Sequence, residues 1–282
     1  MFYLFKTFTQ MKILLNKTSL YKSLRPFNDI GFVPTMGSIH KGHLSLINKS
    51  NQSCTKTIVS IFINPKQFNN KDDFKNYPRN IKKDIQILNK TKKVNFVYVP
   101  KFNDVFKSKN KPKIKLNKKD KILCAKFRHG HFEGVLDVMD KLTNIVKPTK
   151  IFMGNKDFQQ FFLVKKYLKK KKYNIEVVGC KTIREKSKIA LSSRNCLLSK
   201  RSLILGGKII KKLMNVKKNI KFKKNKNKYL SIIKDELQNQ FKIKIEYLEF
   251  REINNLKLSN TVSKSKIFIA YYLNGVRLID NL

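Results

Sequence analysis

The chain has 282 residues, 41% of them hydrophobic, and sets 63 Lys and Arg against 18 Asp and Glu, a formal net charge of +45. That length allows one large or two modest domains with an ample core, and no stretch approaches the ~18 consecutive apolar residues of a membrane span. Only eight of the basic residues are Arg, at 25, 79, 128, 184, 194, 201, 251 and 277, whereas nucleic-acid readers lean on Arg for bidentate contacts. With abundant Asn, Ile and Phe, the Lys excess reads as an A+T-biased coding sequence and excludes a specific nucleic-acid partner as the first reading.

Taken in chain order, residues 1–10 begin apolar but lack a basic leader and a small-residue cleavage site, so an extension or a poorly ordered tail is expected there. Apolar runs at residues 12–15, 30–33, 57–63, 95–99, 150–153 and 175–179 read as buried strands. Helical patterns lie between them at residues 42–50, 79–89, 134–145 and 158–169. In the second of these, Ile81, Ile85 and Leu88 fall on one helical face. Strands alternating with helices predict an α/β fold, a doubly wound parallel sheet. The tract at residues 107–121, mostly Lys with Asn, Ser and Pro, predicts a mobile surface excursion. Beyond about residue 180 the pattern changes to two helices, at residues 203–214 and 228–240, then alternating strands carrying Ile243, Ile245, Tyr247 and Ile267, Ile269, Tyr271. Asn274-Gly275 marks a hairpin between the last two strands. The expected division is therefore residues 1–180 and a second, smaller α+β domain at residues 181–282. The four cysteines, Cys54, Cys124, Cys180 and Cys196, show no Cys-x-x-Cys spacing, which favours a reducing, cytoplasmic compartment over zinc or disulfides.

The chemistry gathers at strand ends. The run to Val33 opens into Pro34-Thr35-Met36-Gly37-Ser38-Ile39-His40-Lys41-Gly42-His43, a strand, a glycine-marked turn and a helix start. Such a turn should aim free backbone N–H groups and the positive helix end at an anion. His43 should stand in the first helical turn with His40 on nearly the same face. The other strand ends carry Asn64-Pro65-Lys66-Gln67-Phe68 and Gly154-Asn155-Lys156-Asp157-Phe158-Gln159-Gln160, and ligands of open parallel sheets bind at carboxyl ends of strands, so the three segments should share one crevice. Lys156 offers a charge for phosphate, Asp157 an acceptor for ribose hydroxyls, and Gln67 and Gln160 mixed donors and acceptors for a hydroxy acid. Ser192-Ser193-Arg194-Asn195 adds hydroxyls and a guanidinium suited to a polyphosphate, although a turn and helix cap would equally account for it. A metal site through His40, His43 and Asp84 is the alternative, but the arrangement lacks second-shell support.

Pro34-Thr35-Met36-Gly37…His40-x-Gly42-His43, Phe62-Ile63-Asn64-Pro65-x-Gln67-Phe68, Tyr77-Pro78-Arg79, His131-Phe132-x-Gly134-Val135, Gly154-x-Lys156-Asp157-x-Gln159-Gln160 and Ser192-Ser193-Arg194-Asn195 resemble, in order and spacing, the pantothenate synthetase family. The two-histidine turn alone would indicate only the wider nucleotidyltransferase superfamily. The resemblance runs from about Lys12 to the ending Arg277-Leu278-Ile279-Asp280-Asn281. It implies a Rossmann-like first domain and ATP-dependent condensation of (R)-pantoate with β-alanine through a pantoyl adenylate. It further implies an ATP site at Met36, Gly37, Ser38, Ile39, His40, Lys41, Gly42, His43, Gly154, Asn155, Lys156, Asp157, Ile183, Leu191, Ser192, Ser193 and Arg194. By the same likeness His43 is catalytic, Gln67 and Gln160 hold pantoate, Gln67 also meets β-alanine, and the enzyme is a Mg²⁺-dependent cytoplasmic homodimer whose second domain covers ATP. Met36, Phe62 and Val135 are expected as the apolar wall for pantoate. Four positions depart from the family pattern: Lys41 and Asn155 where it has Glu, Phe158 where it has Tyr, and Leu191 where it has Met.

Overall fold

The computed structural model describes residues 10–69, 71–106 and 114–282. In chain order the elements run β1 (Lys12–Leu14), α1 (Lys17–Leu24), β2 (Ile30–Thr35), α2 (Lys41–Ser53), β3 (Lys56–Ile61), α3 (Lys71–Lys75), α4 (Ile81–Lys90), β4 (Phe96–Tyr98) and α5 (Phe102–Val105). They continue through α6 (Cys124–Phe127), α7 (His131–Val146), β5 (Lys150–Gly154), α8 (Phe158–Lys170) and β6 (Glu176–Cys180). The chain ends with α9 (Lys200–Asn219), α10 (Lys226–Phe241), β7 (Ile245–Glu252), β8 (Ser265–Leu273) and β9 (Val276–Asn281). Every strand and helix expected from the pattern is present, with ends moved by a few residues. Side-chain caps set many of those ends: Ser199 Oγ accepts the Ser202 N–H at 3.2 Å, and Asn225 Oδ1 the Lys228 N–H at 3.0 Å, which starts α9 and α10 earlier than their apolar periodicity begins. The helices α1, α3, α5 and α6 carry too little periodicity to be seen in the sequence.

The described residues divide into two compact units, each discontinuous: those within 1–115, 130–153 and 164–180 in the first, and those within 116–129, 154–163 and 181–282 in the second. The first is a doubly wound α/β unit. Its six-stranded sheet has the order β1-β4-β3-β2-β5-β6, with parallel pairing of β1 to β4, β4 to β3, β3 to β2 and β2 to β5. From β2 the chain builds outward through β3 and β4, then returns to the other side with β5 and β6. The carboxyl end of β2 is thus the topological switch point, where such sheets bind ligands. Val33, Ile47, Val59, Leu88, Val97 and Phe152 are fully buried between sheet and helices.

The second unit packs α9 and α10 on one face of an antiparallel sheet in the order β7-β8-β9. Ile209, Leu213, Leu230, Leu237, Ile267 and Ile269 form its core. Asn274 and Gly275 have φ of 46° and 77°, the left-handed pair of a two-residue hairpin turn, with Leu273 facing Val276 across it. The opposite sheet face is not solvated, because Phe268 meets Phe158 with ring centroids 5.8 Å apart. Of the expected Lys-rich excursion, residues 107–113 lie outside the described residues. Its far end is anchored: Asp120 is buried, and Gln159 Nε2 donates to the carbonyls of Asp120 at 3.3 Å and Ile122 at 2.7 Å. Among the described residues no helix is long and apolar enough to cross a membrane.

Candidate active site

In the first unit the turn after β2 is built around a carboxylate. Gly37 and Ser38 both take positive φ, 81° and 53°, which aims successive backbone N–H groups to one side as an anion-binding nest. Asp84, on α4 and buried, fills that nest: its Oδ2 accepts from Ser38 N at 2.8 Å and its Oδ1 from Ile39 N at 2.7 Å. A Cβ at Gly37 would lie 2.8 Å from Asp84 Oδ2, so this position requires glycine for space as well as for φ. The Gly37 N–H goes to Thr35 Oγ1 at 3.1 Å, and that hydroxyl donates to the Ser60 carbonyl at 2.7 Å. The sequence expectation of free turn amides is therefore corrected: the anion that Ser38 and Ile39 bind is the protein's own Asp84.

The helix start is closed by histidines. His40 is the N-cap of α2, its Nδ1 accepting the Gly42 N–H at 3.1 Å, while His43 Nδ1 faces the His40 N–H at 3.4 Å. The rings stack with centroids 4.1 Å apart. With both Nδ1 atoms as acceptors, each ring carries its proton on Nε2, so two Nε2–H donors stand side by side at a helix N-terminus. Lys41 is exposed at the first helical position, whereas the Ile39 side chain is buried in the core and its N–H is held by Asp84.

Gln67 is the last residue of a 3-10 turn, Pro65–Gln67, held against α7. Asn64, fully buried, caps the turn through Lys66 N at 3.1 Å and donates to the Gly134 carbonyl at 3.0 Å. His131 Nδ1 donates to the Gln67 carbonyl at 2.6 Å. Lys66 Nζ reaches Asp137 Oδ2 at 3.5 Å and lies 4.1 Å above the Phe106 ring. Gln67 Nε2 contacts Met36 Sδ, so the ends of β2 and β3 meet as expected. A cavity of about 260 Å³ opens there, lined by Met36, Gly37, Phe62, Pro65, Arg79 and Asp84 among others. Met36 and Phe62, two of the three residues expected as an apolar wall, line this cavity, while Val135 is buried within α7.

The remaining predicted residues belong to the second unit. Residues 154–157 form the end of β5 and a 3-10 turn; a Cβ on Gly154 would meet nothing within 4 Å, leaving room for close approach. Lys156 Nζ pairs with Asp157 Oδ1 at 3.3 Å. Gln159 faces inward, as its bonds to residues 120 and 122 require, and Gln160 is half-buried. Ile183 and Leu191 are joined by the Leu191 N–H to Ile183 carbonyl bond at 2.9 Å. Ser192 Oγ accepts from Arg194 N at 3.3 Å, so this hydroxyl is a cap as well as a candidate ligand. Burial holds the Lys266 ammonium below its ordinary pKa, with Lys217 adding to that effect and Asp280 opposing it.

A family model described as pantoate-beta-alanine ligase matches residues 4–282. The chain belongs to the pantoate–β-alanine ligase family. Similar proteins include the pantothenate synthetases of Flavobacterium psychrophilum, 37% identical over 280 residues covering 96% of this chain and 99% of that one, and of Christiangramia forsetii, 35% identical and covering 98% of each. Among solved structures, the pantoate-beta-alanine ligase of Francisella tularensis, in complex with beta-gamma ATP and beta-alanine, has a TM-score of 0.83 at 35% identity, covering 96% of this chain and 97% of that one. The Thermus thermophilus enzyme gives 0.84 at 26% identity, covering 96% and 99%. The activity of this pantoate–β-alanine ligase is the joining of pantoate to β-alanine.

The sequence left the contacts of three groups unread, although it names most of their residues: Asp84, the His131–Asp137 face of α7, and the Asp280-Asn281 ending. Asp84 had a legible signal: with Ile81, Ile85 and Leu88 it shares the apolar face of α4, and a carboxylate there must find buried donors. His131, Gly134 and Asp137 stand at three-residue spacing on α7 toward the Gln67 turn, a pattern visible only once the turn's position is known. Asp280 and Asn281 carry no local signal of any role.

Proposed function

We propose that the ligase condenses (R)-pantoate with β-alanine using ATP, by way of a pantoyl adenylate, with release of AMP and pyrophosphate. The observation that carries this reading is the stacked His40–His43 pair, two Nε2–H donors at the N-terminus of α2. The nucleotide and β-alanine bound to the Francisella relative support it. An oxygen of the pantoate carboxylate attacks the α-phosphorus; that O–P bond forms as the bond to pyrophosphate breaks. The β-alanine amine then attacks the pantoyl carbonyl, the C–N bond forms, AMP departs and the amine loses a proton. Positioning and charge stabilisation carry both steps. His43 donates to charge growing on the departing pyrophosphate. His40, Lys156 and Arg194 hold phosphate oxygens, and Asp157 accepts from ribose. The Gly37, Ser38, Ile39, Lys41, Gly42, Gly154, Asn155, Ile183, Leu191, Ser192 and Ser193 positions shape the nucleotide site. Gln67 and Gln160 hold pantoate, with Met36 against its apolar part and Gln67 also meeting β-alanine.

Mg²⁺ enters as the counter-ion of the nucleotide substrate. Among the described residues no group of three or more His, Cys, Asp and Glu side chains is placed to hold a metal, and both Asp84 oxygens are engaged by amides. The residues present do not fit a resident protein-held ion, and no step is assigned to one. A cytoplasmic homodimer belongs to the same reading and rests on family likeness; sedimentation of the purified chain tests the dimer. The two-step chemistry is tested by exchange of labelled pyrophosphate into ATP. Exchange should require pantoate and proceed without β-alanine; strict dependence on β-alanine would overturn the adenylate.

A further inference from the structure

The nucleotide-site residues of the second unit lie on two separate stretches, residues 154–157 and 183–194, and both are tied to one dipeptide at the end of β9. Asn281 is buried, and its Nδ2 donates to the carbonyls of Asn155 at 2.7 Å and Lys156 at 3.0 Å. Its Oδ1 accepts from Lys266 Nζ at 2.7 Å. An ammonium has donors only, so Lys266 decides which amide atom it meets and turns both Nδ2 hydrogens toward the loop. Asp280 takes a paired contact from Arg184, Nη1 at 2.6 Å and Nη2 at 2.9 Å. Arg184 Nη2 also donates to the Asn281 carbonyl at 3.2 Å. Arg184 in turn follows Ile183 and bridges antiparallel to Ala190, next to Leu191 and the Ser192-Ser193-Arg194 run. The Asn281 N–H closes on Asp280 Oδ1 at 2.7 Å.

We infer that Asp280 and Asn281 are positioning residues for the nucleotide, holding through two loop carbonyls and Arg184 the stretches that carry Lys156, Asp157 and Arg194, with Lys266 orienting the Asn281 amide. The inference rests on those stretches being the nucleotide site. None of the three needs to touch a substrate. Every donor and acceptor named is a partner of another, so one exchange of acceptor for donor is felt at the loop: an aspartate at position 281 would turn an oxygen toward two carbonyl oxygens that both need a donor.

The test uses the full chain with variants N281D, N281A, K266M, N281A/K266M and the control K156A, read by KM for each substrate and by thermal midpoint. N281D should raise the KM for ATP by about tenfold, with pantoate and β-alanine KM values changing less than about twofold. K266M should raise the ATP KM by about threefold in the parent and add nothing in the N281A background, since it acts through that amide. Equal changes in all three KM values, an unchanged ATP KM in folded N281D, or additive N281A and K266M effects would each overturn the inference. Should N281D not fold, the N281A and K266M coupling decides alone. An ATP KM unmoved in K156A would instead sink the nucleotide-site reading itself; K156A weakened with N281D and N281A normal sinks only the positioning role.

Discussion

His43 Nδ1 is committed to the His40 amide, 3.4 Å away, so the ring serves the helix start with one nitrogen and presents an Nε2–H donor with the other. Removing it should therefore produce two separable losses. His43→Ala should lower turnover by about 10²–10³-fold, ~3–4 kcal/mol, the range of a lost preorganised donor, and should cost only ~0.5–2 kcal/mol of stability, the range for a lost cap. Single-turnover kinetics beside denaturant unfolding measure both; a turnover loss under threefold would retire the catalytic role. His40→Asn separates the functions from the other side. Asn is among the best N-caps, so stability should remain within ~0.5 kcal/mol of the parent, while any fall in turnover reports the missing Nε2–H.

At the scale of elements, α7 grips the Gln67 turn at three successive points, His131, Gly134 and Asp137. The middle one is a backbone-to-backbone approach: a Cβ on Gly134 would sit 2.2 Å from the Lys66 carbonyl oxygen, and that oxygen belongs to main chain that cannot swing aside. Gly134→Ala should thus push the turn away, costing ~1–3 kcal/mol in overpacking and displacing Gln67. The expected kinetic signature is a pantoate KM raised several-fold more than the ATP KM. Equal values for parent and variant would mean that the turn tolerates the shift and that its close packing does not set pantoate affinity.

For the molecule as a whole, the imbalance of 63 basic and 18 acidic residues makes each buried carboxylate matter. Glu246 is 7% exposed and its Oε2 lies 2.6 Å from Arg277 Nη2. Burial alone would raise its pKa, but hydrogen bonds from Arg277 and the Tyr272 hydroxyl, with the Arg277 and Lys244 charges, hold it below the ordinary 4.5. Such a group stabilises the fold fully above its unfolded value, and the contribution disappears as pH falls through the lower folded value. The thermal midpoint should accordingly decline below about pH 4.5, steepened by self-repulsion of the unneutralised cations. Glu246→Gln should lower stability at neutral pH by on the order of 3–5 kcal/mol, because Arg277 is left buried without its counter-charge, and should flatten the acid limb. Melting curves collected across pH on both proteins check the slope; parallel curves would remove Glu246 as its source.

Much of this was legible from the chain alone. Apolar runs and helical periodicity are short-range properties, so they located the alternating strands and helices, the doubly wound sheet, the Asn274-Gly275 hairpin and the turn leading to His40 and His43. The ordered motifs pointed to the family for the same reason, since each is a compact run around one strand end. Long-range pairing decided the rest. Asp84 meets the turn amides only because α4, some 46 residues later, packs beside β2; the Gln67 turn meets His131 across 64 positions; and Asn281 reaches the Asn155 carbonyl across 126. A hydrogen bond depends on ångström-scale placement of two groups that the chain itself leaves far apart. Local pattern determines which faces are apolar and where helices begin, whereas only the packed tertiary structure determines which carboxylate, amide or carbonyl each polar group finally meets.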